Sequence, residues 1–219
     1  MNKLTTYILK RYLLLFAGLT IMAFGVAFSI KASLGTSPIS SVPYVLSLFS
    51  PLTVGTATIA MHCVFILLQI LILRKNYHPI QLMQLPVAFF FGYLTDFGVW
   101  AVQGISCHTY WQQWLVCLAG ILLVAAGVSL EVKAGEVVLA GEGVVLAICR
   151  AVPSLRFGYM KVCFDVTLVL TAILLSLVFT GSLQGVREGT VAAAVMVGLI
   201  AKQFGRVLSR WRLEDEQSA

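Results

Sequence analysis

The chain has 219 residues, 59% of them hydrophobic and only 11% charged, with a mean hydropathy of +0.94. Soluble domains carry about 25% charged residues, and a chain of this size cannot hide so much apolar surface around one water-facing core. A soluble globular enzyme, a disordered chain and a disulfide-rich secreted module are thereby excluded, while the net charge of +6 has still to be placed.

Six apolar segments follow one another at about 12–32, 53–73, 83–104, 113–133, 159–180 and 187–206. Each approaches the ~20 residues that carry a helix across a bilayer core. The first follows Lys3, Lys10 and Arg11 as a signal peptide would, but its apolar run outlasts an h-region. The Lys31-Ala-Ser-Leu-Gly stretch beyond it also lacks a convincing small-x-small cleavage site. It reads as a retained span. Thr53–Leu73 contains no Asp, Glu, Lys or Arg, whereas the sixth segment is charge-free only from Gly189 to Ala201.

The cations set the orientation. With the N-terminus in the cytoplasm, 13 of the 15 Lys and Arg fall inside, and only Lys31 and Arg187 fall outside. Both termini are then cytoplasmic, and the positive charge needs no nucleic acid. Trp100, Trp111 and Trp114 gather at the outer interface and Trp211 at the inner one, as an aromatic belt requires. The five cysteines form no C-x-x-C pair and read as small apolar residues.

An internal repeat underlies the order of spans. Gly18–Ser33 set against Gly120–Gly135 matches at Gly18/Gly120, Ala23/Ala125, Gly25/Gly127, Val26/Val128, Lys31/Lys133 and Ala32/Ala134. With small shifts, Gly55 falls on Gly158 and Gly92 on Gly198. Each unit holds three spans, so the second enters the membrane upside down, as in secondary transporters built from inverted repeats. The expected architecture is one integral membrane domain over 1–219, all-α, with repeat one at about 12–107 and repeat two at about 113–208.

Two short segments interrupt this scheme. Ser33–Pro51 is too apolar for a loop and too rich in Pro and Ser to span, and Thr36-Ser37-Pro38 reads as a helix start. Its counterpart, Glu136–Arg150, is a second short apolar helix that brings Glu142 opposite Ser37. One reading makes both re-entrant half-helices whose N-termini favour an anionic group, with Lys31 adding a full charge. The other lays them on the membrane surface and lets Lys31 snorkel.

Ionisable side chains at membrane depth are costly and so are site candidates. Asp96 sits deep in the third span, and Lys161 and Asp165 lie one turn apart in the fifth, where they can also neutralise each other. His62 occupies the repeat position of Asp165. It is either half of a proton relay or a histidine hydrogen-bonded to a neighbouring helix. Glu131 and Lys133 read as a local pair at the interface, Arg187 and Glu188 as helix-start charges, and Phe89-Phe-Phe91 as lipid-facing bulk. Motifs for a metalloprotease, Walker loop, serine hydrolase or dinucleotide site are absent, so neither an enzyme nor a cofactor is expected.

The stretches Gly25–Pro38, Gly141-Glu-Gly143, Lys161–Asp165 and Gly185–Thr190 resemble the YczE/YyaS/YitT family of bacterial inner-membrane proteins, closest to its short YczE-like members. Ala140 stands where similar proteins lead one to expect Pro. The resemblance implies an inner-membrane location. Because some YczE-like proteins are associated with production of non-ribosomal peptide antibiotics, it also keeps a regulatory or export role in view.

The expected function is a small secondary transporter or permease for an anionic or zwitterionic solute, assembled as a homodimer in the lipid bilayer. Lys31, Thr36, Ser37, Lys133, Glu142, Asp96, Lys161 and Asp165 are the candidate solute-binding residues. His62 and Asp165 are the candidate proton carriers, and no metal is expected. The alternative is a non-transporting membrane scaffold or regulator.

Overall fold

A computed structural model describes residues 3–135 and 137–208, with side chains described from residue 7 onward. Glu136, Arg210, Trp211 and Arg212 of the sequence reading lie outside the described residues. Eight α-helices follow in order: α1 Lys3–Ala32, α2 Pro38–Phe49, α3 Val54–Leu73, α4 Gln84–Ala101, α5 Tyr110–Ala134, α6 Ala140–Ala151, α7 Phe157–Thr180 and α8 Glu188–Leu208. No strand occurs among the described residues. All but α2 and α6 are long and apolar enough to cross a membrane. The six spans read from the sequence coincide with these helices to within a few residues, except that α1 begins well before residue 12. The protein is an all-α, multi-pass integral membrane protein.

Local chemistry marks the ends. The Thr53 hydroxyl accepts from the Thr56 N–H at the start of α3, and Thr109 with Gln112 forms a capping box on α5. At their far ends, α1 and α5 turn through left-handed residues at equivalent positions, Ser33 (φ 57°) and Gly135 (φ 63°). Pro38, at the first helical position behind Ser37, opens α2 as the sequence predicts.

The centre of the bundle is the antiparallel crossing of α1 and α5. A Cβ at Gly25 would lie 2.8 Å from the Gly120 carbonyl oxygen, and one at Gly18 would lie 2.9 Å from that of Gly127. The two backbones therefore touch, as small residues at a membrane helix interface allow. Under the sequence repeat, Gly18 corresponds to Gly120 and Gly25 to Gly127, so each contact is the image of the other. This is the geometry of a self-complementary, two-fold interface, formed here within one chain.

The remaining helices pack about this crossing in matched fashion. Helix α4 lies on α1 and α8 on α5, while α2 rests on α7 and α3 on α6. Phe16 meets Phe90 and Phe24 meets Phe97, so α1 and α4 run parallel. One end of the bundle carries Lys31 and the other carries Arg11, whose Nε donates to the Ala134 carbonyl.

Candidate functional site: a central cavity between two half-helices

The segments entering α2 and α6 return from opposite ends of the bundle toward its middle. The first is tied to the loop before α8, because the Thr36 N–H donates to the Gly185 carbonyl and the Gly189 N–H to that of Leu34. Gly35 serves this turn at φ 96°, and a Cβ there would meet the Arg187 nitrogen at 2.7 Å. Helix α2 then runs outward, ending where Phe49 stacks on Phe179 at a 4.5 Å centroid separation. Helix α6 runs the other way along α3. Their first turns meet, with the Ile39 side chain against Gly141. The half-helices thus point their N-termini at one another inside the protein, where Thr36, Ser37, Ser40 and Ser41 are buried.

Around this meeting point lies a cavity of about 240 Å³, room for about eight waters at their liquid volume. Much of its wall is apolar, including Met22 and Val26 of α1, Val124 and Val128 of α5, and Phe91 of α4. Polar groups converge on it from five helices: Ser37 and Ser40 at the start of α2, Thr58 and His62 of α3, Glu131 of α5, Glu142 of α6, and Lys161 with Asp165 of α7. An apolar pocket with a few convergent polar groups is the usual form of a small-molecule site. A second, more open depression of about 390 Å³ between the C-terminal ends of α3 and α6 has Arg150 as its charged group and no comparable convergence.

The two ends of the cavity differ. Ser37 makes no side-chain cap on α2, and the first turn of α2 has no acidic residue. The Ser37 hydroxyl instead donates to that of Ser40 at 3.1 Å. The positive end of α2 is therefore free of an internal counter-charge. Beside it, His62 is buried, and its Nδ1 has no hydrogen-bond partner. Its ring stands edge-on to Phe65 and Phe91. An orphaned buried nitrogen facing a cavity marks a place for water or ligand. At the other end, Glu131 accepts from the Leu139 N–H at 2.7 Å and Glu142 stands in the first turn of α6, so this terminus carries its own carboxylates. The Lys161 ammonium donates to Asp165 at 2.7 Å, the self-neutralising i, i+4 pair that the sequence allowed.

Of the residues singled out in the sequence, Ser37, His62, Glu142, Lys161 and Asp165 come together here. Four others do not line the cavity. Lys31 donates to the Gln103 carbonyl at 2.9 Å, just past the end of α4, and Lys133 donates to the Leu208 carbonyl at the end of α8. The shared Lys-Ala of the repeat thus places a cation on the C-terminal end of the last helix of each half, where it is favoured. Asp96 lies toward the end of α4 rather than deep in the span. It accepts from the Thr53 hydroxyl at 2.6 Å and the Gly55 N–H at 2.7 Å, holding α4 onto the start of α3. Thr36 is fully buried in the loop before α2.

The structure corrects two further expectations, at Glu131 and Phe91. Glu131 is 2% exposed and caps α6 rather than pairing locally with Lys133. Phe91 is buried and faces the cavity, while Phe89 and Phe90 are exposed. Spacing gave a signal for the first, since a carboxylate eight residues before a helix start can fold back across the connecting loop. For the second, only the helical phase of Phe91 relative to Gly92 distinguished it from its neighbours.

No group of three or more His, Cys, Asp or Glu among the described residues is arranged to hold a metal ion. No curated protein and no solved structure matches the chain. A family model matches residues 9–206, and the chain belongs to that family, DUF6198, described as a family of unknown function.

Proposed function

We propose that this membrane protein is a small secondary transporter or permease whose solute is zwitterionic. One observation carries the reading: a central cavity with a free helix N-terminus and an imidazole whose Nδ1 has no partner at one end, and carboxylates at the other. An anionic group suits the α2 end and an ammonium group the Glu131–Glu142 end. Three carboxylates against one lysine argue against a purely anionic solute. The inverted packing about α1 and α5 supports a transport role, since in such proteins the solute site lies at the repeat interface.

The bacterial inner membrane, with both termini cytoplasmic, and a homodimeric assembly belong to the same proposal. The resemblance to YczE-like proteins supports the location. The gathering of Arg11, Arg74, Lys75, Lys133, Arg150 and Arg156 toward one end supports the orientation.

A thermal-shift screen of detergent-purified protein against amino acids, betaines and small anions tests this, because a ligand stabilises the state that binds it. Zwitterions are expected to raise Tm, the effect being lost in Glu142→Gln and His62→Ala and retained in Lys31→Ala. A panel with no stabilising zwitterion, together with liposomes showing no flux, would sink the transporter reading. Cavity variants that leave cellular function intact would then favour a scaffold.

A further inference from the structure

The two halves close differently along their last pair of spans. In the first half, α3 and α4 pack on each other, and Gly55 and Gly92 meet backbone to backbone. Asp96, four residues after Gly92, latches the seam onto Thr53, the N-cap of α3. The second half has the same glycines, Gly158 just inside α7 and Gly198 within α8. Here a Cβ at either position would meet nothing within 4 Å, and α7 and α8 make no comparable contact.

The gap between them leads into the cavity, whose wall includes Val162 and Asp165 of α7 and Ala194 and Gly198 of α8. The two seams also differ in charge. Where Thr53 caps α3, Arg156 stands at the N-cap of α7. Where Asp96 follows Gly92 by four residues, Lys202 follows Gly198. Both cations are exposed, and a second cation beside a positive helix N-terminus is repelled where an aspartate is held.

We propose that the α7–α8 seam is the gate of the central cavity. It is open in this structure and closes in a second state through a Gly158–Gly198 contact that repeats the Gly55–Gly92 one. The gate's purpose rests on the solute-site reading above; its geometry does not. Closure brings Ala194 and Gly198 onto α7 and walls off Lys161 and Asp165 from the lipid side. Arg156 and Lys202 hold it back, so an anion between them, or reversal of one charge, favours the closed state.

Disulfide trapping in native membrane vesicles is the test. All five cysteines are first replaced by serine or alanine, and Gly158→Cys and Gly198→Cys are then introduced together. Open space at both positions makes the pair tolerable, which an unchanged melting temperature verifies. Ala27→Cys with Gly98→Cys, whose Cβ positions lie 3.3 Å apart, close to the separation a disulfide needs, is the positive control. An oxidant is expected to link the glycine-site pair within one chain, and adding Lys202→Asp should speed the link by roughly fivefold, the scale of one charge at a helix end. No link while the control forms overturns the gate. So does a link between two chains, which would show that the seam packs on a second copy. A link without any solute flux keeps the gate and sinks the transporter reading, whereas flux without a link does the reverse.

Discussion

The half from α1 to α4 and the half from α5 to α8 are built on the same frame and used differently. Gly18 lies on Gly127 as Gly25 lies on Gly120, and Lys31 caps α4 as Lys133 caps α8. What the two halves share is scaffolding. They part company around the cavity, where Ser37 and His62 of the first half correspond to Glu142 and Asp165 of the second, and where Glu131 lines the wall while its counterpart Ser29 stays in the α1–α5 crossing. One half supplies hydroxyls and an imidazole, and the other supplies carboxylates. They differ again at the seam, latched by Asp96 in the first half and carrying Arg156 and Lys202 in the second. The divergence falls where a solute or a moving helix would make use of it.

The seam glycines give the sharpest contrast. Gly92→Leu should cost at least ~3 kcal/mol, the upper end for overpacking, or leave no folded protein, while Gly198→Leu should change stability by less than about 0.5 kcal/mol. Thermal unfolding in detergent reads both, and equal losses would erase the distinction between the seams. Next comes the Ser29/Glu131 pair. Glu131→Ala orphans the Leu139 N–H inside the protein and is expected to cost ~1–3 kcal/mol. Ser29→Ala loses only a bond to the Gly25 carbonyl of its own helix and is expected to cost about 1 kcal/mol or less. A Ser29 variant as damaged as the Glu131 one would mean that the two equivalent positions are not used differently.

Asp96→Asn tests whether the first seam is structural. It should lower stability by about 1 kcal/mol through a weakened cap while leaving any solute-induced Tm shift unchanged. Loss of that shift would return Asp96 to the solute site. Lys31→Ala should have the smallest effect, below about 1 kcal/mol, again with solute stabilisation intact.

Composition and periodicity were enough for the spans, and the repeat was enough for the frame, because Gly25-Val-x-x-x-x-Lys31-Ala and its copy serve the same packing twice. The cavity was half legible. Ser37, His62, Glu142, Lys161 and Asp165 are polar groups on apolar segments, and that cost alone exposes them. Lys31 and Lys133 are equally conspicuous in sequence, yet a carbonyl at a helix end satisfies each, and one-dimensional spacing does not reveal which helix end comes near. Glu131 was obscured for the opposite reason. Its neighbour Lys133 offered a local partner, while its actual partner, the Leu139 N–H, is reached only after the chain turns at Gly135. The open seam was only partly legible, because Gly158 and Gly198 carry the same pattern as the closed pair, and the cations standing where Thr53 and Asp96 stand in the first half do not by themselves show that the helices part.

The α1–α5 crossing has a mechanical consequence. With carbonyl oxygens and glycine Cα atoms in direct contact at two points, sliding either helix along the other would drive side chains such as Met22 or Val124 into a space that holds none. Translation is blocked, and rotation about the crossing remains. The pair is a fulcrum, so displacement is smallest at the cavity floor near Met22 and Val124 and largest at the far tips of the outer helices. A seam such as α7–α8 can then travel several ångströms while the centre scarcely moves.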